Sequence, residues 1–495
     1  MKSGLYALLM LLLALFFSCK KDKVLTSSSA KLTFSQDSVL FDTVFTQIGS
    51  TTQYFRVHNR NNGIVNISSL RLARGTSSFY QLNVNGLSGQ SFSNLQIAAG
   101  DSMYIFVKVT IDPNNQTNPF IYRDSILFDL NGNEQHFDLV AFGQNAYYHL
   151  PSQKFIFSST QAFYYDTLPA AYNTTVTWPT DKPHVIYGYL VVDSTRTLII
   201  PAGAKIYVHN NGGIWVYRYG CIQVTGTLQN PVTFQGDRLE SVYQDVPGQW
   251  DRIWINEGSV KNSIEYAIIK NGYIGVQASY SVFDGLAGNV NASDPKRLYI
   301  ANTVIRNCSF SGLLARYYNI SGGNNVFSNC GNYLAAFQYG GSYVFDQCTF
   351  ANYWNQISTG NNPSGRTTQS FYFNNYYPNG SSNLNLAIDT AYFGNCILDG
   401  TLAEEFQFDT VGGGYFNHVL FDHCLMKTSL LPSSGNHSAQ CILGSSPGFS
   451  NPALYNFHLQ AGSPAIGYGN TNVATIWPLD IEGNSRNLDI GAYKF

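Results

Sequence analysis

The chain has 495 residues, 12% of them charged, and a formal net charge of −2. That length accommodates two or three domains, and so balanced a charge excludes both a basic footprint for nucleic acid and an acidic tail. Aromatic residues make up 15%, Gly, Asn, Ser and Thr fill much of the remainder, and no long stretch places apolar residues at helical spacing, so an almost all-β chain is expected.

Residues 1–18 (MKSGLYALLMLLLALFFS) carry a lysine and then about 14 mostly apolar residues, too short a run for a spanning helix and suited to a signal peptide. Phe-Phe-Ser-Cys at its end resembles a bacterial lipobox. The resemblance implies cleavage before Cys19, acylation of its thiol (palmitate included) and a lipid anchor in the outer membrane. Surface exposure is expected, with a periplasm-facing orientation as the alternative. Residues 19–30 (CKKDKVLTSSSA) fit a polar tether.

Residues 31–147 alternate strand-like runs (KLTFS, TQYFRVHN, SMYIFVKVTI, DSILFDL, HFDLVAFG) with turn clusters (NRNNG, NGLSG, DPNNQTN, NGNE), the punctuation of a β-sandwich. The order of these runs resembles the immunoglobulin-like modules of the ASPM–SPD2–Hydin type, which implies a spacer or adhesion platform. His58 and His136 read as ordinary strand residues.

Residues 148–184 form a linker or the N-terminal cap of a solenoid. From 185 to 445 the strands are too short to bury anything alone, but stacked in parallel about 4.8 Å apart they share one core. A six-residue scrap recurs as AIIKNG (267–272), TVIRNC (303–308), NVFSNC (325–330), YVFDQC (343–348), AYFGNC (391–396) and VLFDHC (419–424). Its intervals of 36, 22, 18, 48 and 28 residues suggest coils of a right-handed parallel β-helix, some lengthened by loops. Its third position (Ile269, Ile305, Phe327, Phe345, Phe393, Phe421) should point inward and its fourth outward. The fifth (Asn271, Asn307, Asn329, Gln347, Asn395, His423) should turn the corner, because Asn tolerates the left-handed conformation and can bond its copies above and below. The sixth suits a small buried thiol.

With Cys19 set aside, seven cysteines remain, without the close pairs that a zinc site needs, so no metal or other cofactor is expected. In-register thiols point the same way, which disfavours the disulfide torsion, so most should be free.

The C-terminal segment 446–495 contains SPAIGYG and, further on, DIEGNSRNLDIGAYKF. With VPGQWDRIWI, AIIKNGYIGVQ and FNHVLFDHCLMK, it resembles bacterial surface lipoproteins with pectin-lyase-like β-helices. That resemblance implies the fold over 185–495 and a cap on the last coil; it implies little about activity, since this fold carries lyases, hydrolases, esterases and binders. Glycoside hydrolysis needs convergent carboxylates, and lyases of this fold use a basic residue with an acidic calcium cluster. The coil region is poor in acids. Its catalytic candidates are Glu404, Glu405, Asp409, His418 and His423, within about one coil. The expected function is therefore a non-catalytic carbohydrate-binding or adhesion protein of the cell envelope. Its partners would be membrane lipid at Cys19, glycans or other surface proteins, with no nucleic acid; a polysaccharide lyase or glycoside hydrolase is the alternative.

The widest gap between corners, Cys348 to Cys396, is rich in Tyr, Phe, Trp and Asn. Flat aromatic faces with amide donors suit neutral sugars, which makes Tyr353, Trp354, Tyr372, Tyr376 and Tyr377 candidate stacking residues and Arg366 an orienting donor. Finally, Asp followed by Ser or Thr and then an aliphatic, Met or Thr residue occurs eight times, first at Asp37 and last at Asp409. The pattern resembles an O-glycosylation acceptor motif of exported bacterial proteins and equally fits strand-entry turns.

Overall fold

A computed structural model describes residues 23–112, 120–156, 162–286, 290–291, 293–354, 365–380, 382–412, 418–429 and 438–495. Cys19 and the signal segment lie outside the described residues. The chain divides into two compact units, residues 1–145 and 146–495.

The first unit is an Ig-like β-sandwich of two five-stranded sheets. One has the order Thr33–Phe34, Gln53–His58, Ser102–Val109, Tyr80–Val84, Leu87–Gly89. The other runs Ser38–Phe45, Asn133–Gln144, Phe120–Leu130, Val65–Leu72, Ser91–Ile97. Strict alternation drives this arrangement: in Ser102–Val109 the residues Met103, Ile105, Val107 and Val109 are buried and their neighbours face out. Phe55 and Phe137 stack with centroids 3.8 Å apart in the shared core. The tether is shorter than expected. Val24 bridges to Ile64, the Leu25 amide donates to the Ile64 carbonyl, and Asn131 donates to the carbonyls of Leu25 and Ser27, so residues 23–30 dock on the sandwich.

The second unit is a parallel β-helix whose 27 strands belong to one hydrogen-bonded system. Within residues 148–184, read as a linker or cap, strands already pair with it: Tyr165–Thr167 lie parallel to Tyr189–Val191, and Thr175–Thr177 to Thr197–Ile199. Each coil has three faces. Face 1 stacks 190–192, 214–216, 253–255, 276–278, 313–315, 335–337, 371–373 and 406–408. Face 2 stacks 197–201, 221–225, 263–265, 298–301, 319–323, 341–346, 390–394, 419–422 and 438–439. Face 3 stacks 206–208, 233–236, 267–270, 304–306, 326–328, 349–352, 397–400, 425–426 and 442–443.

The recurring scrap therefore marks two corners, not one. TVIRNC and NVFSNC end face 3, and the strand after them in that stack is Thr349–Asn352. YVFDQC, AYFGNC and VLFDHC end face 2. The 18-residue interval is thus a step between faces. Locally the scrap behaves as expected. Its third positions are all 0% exposed, and its fifth positions all have positive φ, from 50° at Asn395 to 64° at Asn271. The corner between faces 2 and 3 continues through Tyr266, Asn302, Asn324 and Gln440, also with positive φ. Asn307 donates to Asn271 Oδ1 at 2.8 Å and Asn324 to Asn302 Oδ1 at 2.7 Å, so amides bond their copies one coil away.

The thiols complete that second corner. The amides of Cys348, Cys396 and Cys424 each donate to the sulfur of the next coil's cysteine (Cys396, Cys424, Cys441) at 3.4 Å. Upstream, Asn325 Oδ1 accepts from the Thr303 amide at 3.0 Å in the equivalent place. All seven cysteines among the described residues are free thiols, and burial pushes Cys396 well above its ordinary pKa.

The C-terminal segment runs back along the outside of face 3, where Phe449, Phe457, Leu459, Ala465, Ile490 and Ala492 cover the outward residues Val326, Ala351, Ile397 and Leu425. Polar contacts pin it. Asn470 and Asn395 exchange amide–backbone bonds of 2.6 and 3.0 Å, and Arg486 donates to Asn324 Oδ1 at 2.6 Å. This cover buries Ser328 and Asp346, fourth-position residues expected to face solvent. Burial raises Asp346 to about 6.

Candidate functional site

The sequence-derived candidates separate into several environments. Glu405 and Arg366 form an ion pair with both side chains fully buried, the guanidinium donating to Oε1 at 2.6 Å and Oε2 at 2.8 Å. Glu405 also accepts from the Ser370 amide and hydroxyl and from the Leu402 amide. Each carboxylate oxygen is committed to holding the loop, so Glu405 is not an acid or base and Arg366 is not a ligand-facing donor. Trp354 is buried at 7% exposure and offers no open ring face. Tyr353 donates to Asp399 and packs edge-on against Phe449 under the C-terminal segment.

Tyr372 and Tyr376 both donate to Asp409, at 2.6 Å and about 3.0 Å. Burial and the Asp409 carboxylate hold the Tyr372 phenol above its ordinary pKa, so it remains a donor. Asp409 is thereby occupied. Glu404 accepts from Thr428 and Ser429, His423 contacts Asp422 at 2.6 Å, and His418 is exposed with its carbonyl in the ladder to Ala391. These groups do not converge on one point.

Tyr377 leads elsewhere. It lies 5.0 Å from Phe283 and 5.2 Å from Tyr339, centroid to centroid. Phe283 borders a hollow of about 570 Å³ on the outer surface of face 1, with Phe163, Tyr189, Asp251, Arg252, Trp254, Gln277, Asp284 and Arg316. A neighbouring hollow of about 320 Å³ is lined by Phe155, Tyr165, Val191, Trp215 and Tyr217. Ladder pairing joins them. Trp215 and Trp254 are register partners in adjacent coils and stack at 4.8 Å, and Gln277 is the next residue in the same outward column.

A polar chain crosses the larger hollow. Tyr189 donates to Asp251, and Asp251 pairs with Arg252 at 2.8 Å. Arg252 reaches Gln277, Gln277 donates to Asp284 Oδ1 at 3.2 Å, Arg316 pairs with that oxygen at 3.1 Å, and Arg316 Nε donates to Gln338 at 3.0 Å. Burial raises Asp284 to about 6 against the opposing pull of Arg316. Each arginine has a carboxylate partner, so the wall is polar without a net positive charge. Asp284 sits at the end of a one-turn 3-10 segment, Ser281–Asp284, closed by Gly285 in the left-handed conformation. Sequence reading passed over these residues because only inter-coil register brings 189, 251, 277, 284 and 316 together. The available signal was a Trp or Gln at the outward position of successive short strands.

Among the described residues no cluster of His, Cys, Asp and Glu is arranged to hold a metal ion. Five of the eight Asp-Ser/Thr motifs have the aspartate accepting from the following residue's own amide, the bond expected of strand-entry turns.

No family model matches the chain, and no curated protein matches its sequence. Among solved structures, the ASH/PapD-like domain of human CEP192 aligns with 26% of this chain and 92% of its own, at 8% identity and TM-score 0.17. A family 123 glycoside hydrolase from Clostridium perfringens, described for glycolipid glycan hydrolysis, aligns over 23% of this chain and 25% of its own, at 12% identity and TM-score 0.16. At those scores neither carries an argument about what this protein does.

Proposed function

We propose that the protein is a cell-envelope lipoprotein, anchored through acylated Cys19, whose β-helix binds carbohydrate without transforming it. The hollow on face 1 carries the reading: Trp254, Phe163 and Phe283 supply apolar ring surface, and a continuous chain of amide, carboxylate and guanidinium groups supplies fixed donors and acceptors beside it. Stacking with directed hydrogen bonding is the chemistry by which sugars are held. The sandwich fits a spacer or adhesion platform. The test is a glycan array on purified protein. Binding should appear in the wild type and fall at least tenfold, about 1.4 kcal/mol, in folded Trp254→Ala; equal binding by both proteins would refute the site.

A second reading has one observation in its favour. Asp251 and Asp284 line the same hollow, and Asp284 is raised to about 6, as a general acid would be. Reducing-sugar and uronate-release assays over the same glycans separate the two. Turnover lost in Asp284→Asn would establish a hydrolase or lyase; its absence with binding retained supports a binder.

A further inference from the structure

The two sheets of the sandwich carry their charge unequally. The strands Ser38–Phe45, Phe120–Leu130 and Asn133–Gln144 of one sheet hold Asp42, Asp124, Asp129, Glu134 and Asp138. The five strands of the other contain no Asp or Glu, and their only Lys or Arg residues are Arg56 and Lys108. Both cations face out, because Phe55, Val57, Val107 and Val109 take the inward positions beside them. Neither joins an ion pair among the described residues.

Exposed ring surface lies between them. Tyr54, Tyr104 and Phe106 are 53%, 42% and 40% exposed, and their centroids are 5.8–6.3 Å apart. The Arg56 guanidinium rests 4.9 Å over the Tyr104 ring, which holds it at the surface. Beside Phe106 opens a hollow of about 430 Å³, bordered by Thr52, Gln81, Asn83, Ser88 and Lys108. Ladder register builds it: Gln81 pairs with Lys108, and Asn83 with Phe106 and Ser88. Arg56 pairs with Tyr104, four residues from Lys108, so the cations stand about 13 Å apart along the strands.

A ligand that matches this face needs an apolar side for the rings, hydroxyls for the amides, and negative charges that are spaced rather than clustered. A polysaccharide containing uronic acids has all three; an acidic peptide lacks the hydroxylated ring, and a lipid surface is too flat to enter the hollow. We infer that this sheet face is a second glycan site, selective for chains that bear carboxylates. One sugar packs on Phe106 with Gln81 and Asn83 on its hydroxyls and its carboxylate on Lys108, and a later carboxylate of the same chain meets Arg56. The site does not depend on the face 1 reading. There Arg252 and Arg316 are each paired with a carboxylate, so ligand charge separates the two.

Calorimetry on the full chain would use a panel of neutral oligosaccharides, oligogalacturonates, and the same oligogalacturonates as methyl esters, which keep the ring and lose the charge. Oligogalacturonates should bind, weaken as salt is raised, and lose about tenfold on esterification or in Lys108→Gln. Phe106→Ala should weaken them as well; Trp254→Ala, which reports on the other site, should not. Lys108→Arg should restore binding, and the ester should bind wild type and Lys108→Gln alike, which a merely structural role for Lys108 would not produce. Oligogalacturonate binding that survives Lys108→Gln, or that Trp254→Ala abolishes, would overturn the site. Esters bound as tightly as the acids would overturn the ligand class. Polyglutamate bound as tightly as oligogalacturonate, or phosphatidylglycerol vesicles bound in its place, would overturn the glycan assignment in favour of an acidic peptide or a membrane. No binding of any acidic probe would overturn the site, and neutral binding lost in Trp254→Ala would still uphold face 1.

Discussion

Two outer surfaces of the same solenoid have met opposite fates. On face 3 the outward column Val326, Ile397 and Leu425 is aliphatic, and the chain's own C-terminal segment covers it with Phe449, Phe457 and Ile490. On face 1 the outward column Val191, Trp215, Trp254, Gln277 mixes rings with an amide, and two hollows open beside it. Plain apolar surface is paired within the molecule, whereas aromatic surface threaded by polar groups is left facing outward. The same contrast separates that hollow from the stretch between Cys348 and Cys396, whose Arg366, Trp354 and Tyr353 are used up in burial and internal bonding.

The largest expected effects come from the internally committed groups. Arg366→Ala strands the buried Glu405 carboxylate and should destabilise the second unit by about 3–5 kcal/mol. Phe457→Ala, at 1% exposure, should cost a similar ~3–5 kcal/mol by opening the cover on face 3. Urea unfolding monitors both, and glycan binding by the folded fraction should be unchanged. A loss of affinity without a loss of stability in Arg366→Ala would move the binding site to the loop and erase the contrast.

Acid should act at the start of the solenoid. His149 and His184 share a hydrogen bond of 3.0 Å, and both stack on Trp178. Burial, then His184, lowers His149 to about 3 from its ordinary 6.5, and burial also lowers His184. A depressed folded-state pKa means the unfolded chain takes up the proton first. The contribution to stability is thus full above about 6.5 and is lost as pH falls towards 3, with a slope of up to ~1.4 kcal/mol per pH unit for His149. The difference between wild-type and His149→Gln unfolding free energies should shrink over that window; a flat difference would contradict the coupling.

A smaller effect is expected at the corners. Asn324 has φ of 57° and links Asn302 to Arg486 of the C-terminal segment. Asn324→Ala should cost about 1–2 kcal/mol from backbone strain alone, read as a lower urea midpoint with an unchanged slope.

How much could be read from sequence depends on the range over which each signal acts. The alternation of Ser102–Val109 and the inward Phe327 and Phe393 are set within a few residues and were legible. So was the left-handed turn at each Asn, since it depends on one residue type at one position. Assigning YVFDQC to the same corner as NVFSNC failed because both corners demand the same local chemistry, and only pairing between coils tells them apart. The C-terminal segment ends in a motif expected to cap, and its apolar residues cover an aliphatic surface on face 3 that only stacking of the coils assembles. The site was obscured most: Arg366 and Trp354 carry the composition of a sugar site in a buried setting, while Asp284, Gln277 and Arg316 become a group only through register.

Hydrogen–deuterium exchange on the full chain, with and without a saturating neutral oligosaccharide identified from the panel, tests the central claim most directly. Protection is predicted in peptides spanning 251–286 and 311–318, with none in 365–380. Protection of 365–380 with 251–286 unaffected would contradict the account.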